Sequence, residues 1–260
     1  MTLPSSQLDL LACAVAAARA AGQHALAQRH RCRETLSRSA HDVKLRLDVE
    51  CQQAAEAVIR SRFPGHAILG EEGASGGFGG GVEWIVDPLD GTVNFFHGLP
   101  LWANSVAVRQ GEEVLAGAVF VPDLDECYTA TLDGPAECNG RAIRVSDTPG
   151  LDEGLVLTSV SKHVDTRPEA LQVLARIAAR ARKVRVMGAA AVDLCHVACG
   201  RADGYIEQSI YLWDVAAAGL IARRAGGRTE ILERYSPVHL SYLCTNGRVH
   251  EELKNLVAGS

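Results

Sequence analysis

The 260-residue chain suits one large domain or two small ones at about 150 residues each. A chain this long buries roughly three quarters of its unfolded surface, so it needs no stapling by disulfides or metal. With 26 basic and 31 acidic residues its formal charge is -5. That excludes nucleic-acid binding by bulk phosphate neutralisation, but not a small anionic substrate at a site whose sign bound metal ions reverse.

Pro4-Ser5-Ser6 followed by Asp9 reads as the capped start of an Ala-rich helix over residues 5–30. The apolar run within it, Leu10 to Ala18, ends at Arg19, short of the roughly 20 residues a membrane span requires. No Lys or Arg precedes it, so a secretory signal is not expected. The eight cysteines are scattered without Cys-x-x-Cys pairs and several fall in apolar patterns, as reduced thiols do in the cytoplasm. The expected compartment is therefore the cytoplasm, with no membrane and no nucleic-acid partner.

A second helix is predicted over Asp48 to Arg62, stopping at Phe63-Pro64-Gly65. Ala67 to Gly70 and Glu83 to Val86 have strand character. Gly73 to Gly81 between them lacks the Lys-Ser/Thr ending of a phosphate loop and reads as a mobile hairpin loop. Ser105 to Arg109 and Val114 to Val121 predict a hairpin, which Cys127 to Thr131 extends. The pattern then alternates: strand Leu155 to Val160, helix Pro168 to Arg182, strand Val184 to Met187, helix Ala190 to Cys199. A strand near Tyr205 follows, then helix Trp213 to Ala225 with Gly226-Gly227 past its end, and a last strand and helix. Meander strands first and alternating elements second predict layered sheets and helices, in one domain over 1–260 with subdomains of roughly 1–150 and 151–260.

The chemistry concentrates in Trp84-Ile85-Val86-Asp87-Pro88-Leu89-Asp90-Gly91-Thr92. A strand delivers Asp87 at its end and Pro88 removes a ladder donor. Two carboxylates then project from one turn, the oxygen donors that a hard cation such as Mg²⁺ takes. Gly91 admits close backbone approach, and its amide with that of Thr92 suits an anion. Hydrolases that form an aspartyl-phosphate use Asp-x-Asp-Gly-Thr, whereas position 88 here is proline, so water is the expected attacking group. Two further acidic elements are Gly70-Glu71-Glu72 after a short apolar strand and Trp213-Asp214-Val215-Ala216-Ala217 at a helix start. An Asp at a helix start serves equally as a cap.

Together these three elements resemble the signatures of the inositol monophosphatase family of Mg²⁺-dependent, lithium-sensitive phosphatases. The resemblance continues through Asn94-Phe95-Phe96-His97-Gly98, Cys138-Asn139-Gly140, Gly188-Ala189-Ala190-Ala191-Val192 and Ala225-Gly226-Gly227, covering essentially the whole chain. It implies an α/β (α+β) fold, a layered αβαβα sandwich of the inositol monophosphatase and fructose-1,6-bisphosphatase type, commonly a homodimer. It implies metal ligation of two or three Mg²⁺ ions by Glu71, Asp87, Asp90, Asp214 and the Leu89 carbonyl, with phosphate on Gly91 and Thr92. Thr92 with Asp48, and Glu71 nearby, would orient and deprotonate the attacking water. Glu207, Gly188, Ala189 and Ala190 would line the alcohol side with Asp90 and Asp214.

The chain departs from the family pattern at several places. The run Asp42-Val43-Lys44-Leu45-Arg46-Leu47-Asp48 keeps the spacing of its two acids but carries long basic residues between them. The family's upstream lysine falls at Ser37, beside Arg38; its substrate-turn threonine is Ala189; and the glutamate before Ala-Gly-Gly is Arg224. These departures bear on which phosphorylated alcohol is taken: inositol monophosphate, or histidinol phosphate, fructose 1,6-bisphosphate or a nucleotide 3'-phosphate by the same chemistry. A non-catalytic interaction protein is the rival of another class, against which stand four clustered acids that repel one another.

Other residue groupings have simpler readings. Cys195, His196 and Cys199 supply only three soft ligands on an apolar helix and read as core rather than zinc. His97 reads as an ordered loop histidine. Ser159, Ser161 and His163 lack a third group and a nucleophile elbow. The basic run Arg176 to Arg185 reads as a solvated helix exterior.

Overall fold

A computed structural model describes residues 6–39, 43–76, 81–159 and 169–259. Asp42, Ser161, His163 and the middle of the Gly73 to Gly81 stretch lie outside the described residues.

The chain opens with helix α1 (Gln7–Ala27), whose cap is Ser6: its Oγ accepts from the Asp9 amide at 3.1 Å. A hairpin of β1 (Thr35–Arg38) and β2 (Val43–Leu45) leads into α2 (Arg46–Arg62). The strands β3 (Ala67–Gly70), β4 (Gly73–Ser75) and β5 (Val82–Asp90) come next, then the short helix α3 (Thr92–His97). Five strands follow: β6 (Ala103–Gln110), β7 (Glu113–Val121), β8 (Glu126–Thr131), β9 (Glu137–Cys138) and β10 (Arg141–Ala142). They complete an eight-stranded sheet of order β10-β9-β8-β7-β6-β5-β3-β4, antiparallel except where β3 and β5 run parallel.

The second half holds β11 (Leu155–Thr158), α4 (Glu169–Arg180), β12 (Lys183–Val186), α5 (Ala190–Ala198), β13 (Gly204–Tyr211) and α6 (Leu212–Arg224). It ends with β14 (Arg228–Arg234), β15 (His239–Thr245) and α7 (His250–Ala258). Its five strands form a sheet of order β12-β11-β13-β15-β14, parallel on one side and antiparallel on the other.

Side-chain alternation along the strands builds five layers. On one face of the large sheet, Trp84, Val86, Val106, Val108 and Phe120 pack against Cys13, Ala14 and Ala17 of α1 and Cys51, Ala55 and Ile59 of α2. On the other, Ile85, Ala107, Val119 and Tyr128 meet α5 and α6, which Tyr205, Ile210, Leu240 and Tyr242 of the small sheet cover from behind. The outer face of that sheet, Val156, Ile206 and Leu243, is closed by Val173 and Ile177 of α4 with Val249 and Leu253 of α7. The order is the expected αβαβα sandwich. Helix α1 is long and apolar enough to cross a membrane by length and composition, which the Leu10 to Ala18 reading did not anticipate. Its buried residues recur at helical spacing, from Leu10 to Ala25, and face the sheet.

Several local expectations change. Strand β5 does not stop at Val86. It runs on to Asp90, with Asp87 opposite Ser105 and Asp90 opposite Ala103, so a bulge carries Pro88 where a ladder donor is not required. Gly73–Ser75 is a strand paired with β3, and the turn between them is Glu71-Glu72. The expected single last strand is the β14–β15 hairpin. Arg176 is not simply solvated: its Nε donates to the Leu256 carbonyl at 2.7 Å, capping the last turn of α7.

Candidate active site

The β5 bulge aims Asp87 and Asp90 into a cleft of about 320 Å³ between the two sheets. Asp87 is folded back on its own turn, its Oδ1 accepting from the Leu89 amide at 3.0 Å. The Leu89 carbonyl accepts from the Thr92 hydroxyl at 2.9 Å, and the Pro88 carbonyl from Asn104 Nδ2 at 2.5 Å. The turn is therefore pinned from both sides.

The second half of the chain supplies the third acid. Asp214 stands at the third position of α6, where its Oδ2 accepts from the Tyr211 amide at 2.8 Å in a cap-type contact. It is a cap and a cleft residue together. Oxygens of Asp87, Asp90 and Asp214 lie within 4.8 Å of one another. Among the described residues this is the one group of three or more ligating side chains so placed, and Cys195, His196 and Cys199 do not form another.

The electrostatics of the trio follow from its crowding. Burial, then repulsion from Glu71, Asp90 and Asp214, holds the Asp87 carboxyl well above the usual carboxylate range. Burial and the Asp214 charge push Asp90 up to about 7, against the pull of the first amides of α5. Those amides are specific: Ala190 and Ala191 donate to the two Asp90 oxygens at 3.1 and 2.8 Å. Two buried acids and a half-buried third brought this close form an all-oxygen donor set that fits a hard divalent ion.

Gly91 links this turn to the other half. Its φ of 82° is in the left-handed region, and a Cβ there would lie 2.9 Å from Ala189 Cβ and 3.0 Å from the Leu101 carbonyl. Asn94 fixes the same approach by donating to the carbonyls of Leu101 and Met187 at 2.7 and 2.8 Å. Gly91, Thr92, Gly188, Ala189 and Ala190 thus line one cleft with Asp87, Leu89, Asp90 and Asp214.

Glu71 sits in the exposed β3–β4 turn at the rim, outside the close trio, and lines both this cleft and a neighbouring pocket. That pocket, about 290 Å³, is shared by Asp48, Thr92 and Lys44. Asp48 caps α2, its Oδ2 accepting from the Leu45 amide at 2.6 Å. Lys44 pairs with Glu72 at 2.6 Å; that hydrogen bond, with the Glu71 and Asp48 charges, raises the ammonium pKa. Arg38 does not replace the lysine expected at Ser37, because its guanidinium stacks on Phe96 at 5.2 Å together with Arg33 at 4.9 Å. Arg46 lies 3.8 Å from Glu34.

Glu207 also lines the cleft and accepts from the Tyr205 hydroxyl at 2.5 Å. Burial pushes its carboxyl up to about 8, with the Asp214 and Asp90 charges adding to it and Tyr205 opposing. Among the lining residues that escaped sequence reasoning are Asp193 and Ser209. Ser209 Oγ lies 2.8 Å from His239 Nε2, on a strand whose pattern gave no warning of it. Asp193 had one signal, a carboxyl in the middle of an apolar helix.

The fold is shared with known proteins. Residues 6–259 match the inositol monophosphatase family. The chain belongs to that family. It is 38% identical over 224 residues to a Nus factor SuhB from Pasteurella multocida, covering 84% of this chain and 83% of the other. Identity is also 38% over 225 residues to an inositol-1-monophosphatase from Synechocystis, covering 82% and 77%. The inositol monophosphatase structure from Anabaena superposes with a TM-score of 0.86 at 29% identity, covering 97% of this chain and 96% of that one. Family membership makes the chain a phosphoric monoester hydrolase, with a small phosphorylated substrate.

Proposed function

We propose that the chain is a Mg²⁺-dependent phosphomonoesterase that hydrolyses inositol monophosphate by direct attack of water. The observation that carries this reading is the convergence of Asp87, Asp90 and Asp214 in a cleft whose phosphate side is a glycine turn. Two or three Mg²⁺ ions would be held by these three carboxylates with Glu71 and the Leu89 carbonyl. Such ions lower the pKa of bound water and stabilise a leaving alkoxide.

The chain's own residues do the rest. The Gly91 and Thr92 amides bind the phosphate, and pinning of their turn by Asn94 and Asn104 holds that geometry in advance. Thr92 paired with Asp48 orients the attacking water and helps deprotonate it, with Glu71 near them in the adjoining pocket. Glu207 and the Gly188-Ala189-Ala190 turn, with Asp90 and Asp214, hold the alcohol in line.

Among the described residues no Lys, Arg or His lines the cleft. Among the described residues a second phosphate on the substrate would meet the Asp193 and Glu207 carboxyls with no cationic side chain beside it, which favours a monophosphate of a neutral polyol over fructose 1,6-bisphosphate. The acidic wall would also accept an ammonium group, so histidinol phosphate is the second reading. Eight free thiols, five of them buried, support a reducing compartment, the cytoplasm. A homodimer is the assembly proposed, on the family resemblance.

The test is phosphate release from inositol, histidinol, fructose and nucleotide phosphates, with and without Mg²⁺. A Mg²⁺-dependent signal concentrated on inositol monophosphate is expected. A preference for the bisphosphate would contradict the reading of the alcohol wall.

A further inference from the structure

Asp193 stands on α5 three residues after Ala190, so the helix that caps Asp90 with its first amides carries this carboxyl one turn further in. It lines the cleft, yet the residue is only 1% exposed. Among the described residues its Oδ1 has no hydrogen-bond partner. Glu207, the neighbouring acid, is different: Tyr205 already satisfies one of its oxygens. The alcohol wall therefore holds one acid that the fold has supplied with a donor and one with an oxygen left open.

Such an atom costs stability unless something fills its bonding capacity, and folds rarely leave one without reason. Among the described residues no Lys, Arg or His lines the cleft to do so. Burial, then the charges of Asp90 and Glu207, push the Asp193 carboxyl well above its usual range, and a carboxyl oxygen accepts from a hydroxyl in either protonation state. That is the chemistry that matches a hydroxyl.

We propose that Asp193 is a specificity-determining residue that hydrogen-bonds a hydroxyl of the leaving alcohol, on the wall it shares with Glu207. The proposal rests on the reading of the substrate as a polyol monophosphate. It adds a contact that selects for hydroxyl-bearing leaving groups over plain aryl or alkyl ones.

The experiment compares kcat/KM for myo-inositol 1-phosphate and for p-nitrophenyl phosphate, whose leaving group carries no hydroxyl besides the one released. Wild type, Asp193→Ala, Asp193→Leu and Asp193→Asn are measured with Mg²⁺. The ratio of the two constants should fall about tenfold to a hundredfold in Asp193→Ala, mainly through KM. Asp193→Leu, which keeps the branched shape of Asp with methyl groups in place of its oxygens and so leaves no cavity, should show the same fall, which separates the lost contact from a cavity. Asp193→Asn, which keeps a donor and an acceptor, should restore the ratio to within about threefold. In the wild type, removing one inositol hydroxyl in turn should identify a position whose loss matters, and in Asp193→Ala that loss should vanish. Equal losses on both substrates, or an unchanged ratio in Ala and Leu, would overturn the assignment. A wild type active on p-nitrophenyl phosphate but inert on inositol 1-phosphate would overturn the polyol reading beneath it.

Discussion

Asp90 and Ala191 are 101 positions apart and joined by a 2.8 Å hydrogen bond from the Ala191 amide to Asp90 Oδ2. This bond and its Ala190 companion fasten the bulged end of β5, in the large sheet, to the first turn of α5, between the sheets. The helix N-terminus thereby offsets part of the cost of burying a carboxylate beside Asp214.

Asp90→Asn tests that double role. The amide keeps an acceptor for one α5 N–H but turns its own donor toward the other, and it removes one charge from the acidic cluster. Turnover should fall at least about a thousandfold, while relief of the repulsion with Asp214 keeps the loss of stability within about 2 kcal/mol. Steady-state phosphate release and thermal melting of the variant check the two halves.

Gly91→Ala should lose both activity and stability. The left-handed backbone and the atoms at 2.9 and 3.0 Å leave no room for a methyl group without moving Ala189 or the Leu101 carbonyl. A cost of about 1–3 kcal/mol is expected, with kcat reduced more than a general loosening would give, because the phosphate amides move with the turn. Denaturant melts beside kinetics at saturating substrate read both.

Without divalent metal, stability should decline between about pH 4 and pH 8. The sign follows from Asp87, Asp90 and Glu207, whose folded pKa values lie above their unfolded ones. As pH passes the unfolded values, the unfolded chain releases protons that the folded chain still holds, so the folded state loses ground until its own acids ionise. Glu50, held down to about 2 by hydrogen bonds from Arg31 and His24, acts oppositely and only below pH 4.5. Melting temperature against pH in chelator shows the decline, and Mg²⁺ should raise the melting temperature more at pH 8 than at pH 5.

Lys44→Ala should destabilise the metal-free protein by about 1 kcal/mol, discounted for its exposed ammonium, because the buried Glu72 carboxylate loses its partner. Added Mg²⁺ should narrow the difference, since the bound ions would supply positive charge to the same corner. Paired melts with and without Mg²⁺ measure it.

The layers were legible wherever alternation or helical spacing governed burial, as in β5 to β8, α1 and α6. The β1–β2 hairpin was not, because Thr35–Arg38 is polar and largely exposed and presents no apolar period. β5 outran its expected end because Pro88 falls where the bulge has no ladder bond to lose. In the site, the acids at 87, 90 and 214 were readable from local turn and helix-start patterns. Their convergence rests on pairings of high sequence separation, such as Asp90 with Ala190. Asp193 stayed hidden because a lone acid in an apolar helix has no local meaning until the fold sets it beside Glu207.

The most direct test of the account is phosphate release from inositol monophosphate while Mg²⁺ is titrated into chelator-treated protein. Activity should be absent at the start, rise to saturation with the metal, return to zero on renewed chelation, and be missing throughout in Asp90→Asn. Turnover that persists in chelator, or that Asp90→Asn retains, would contradict the claim that this carboxylate cluster is a metal-dependent phosphatase site.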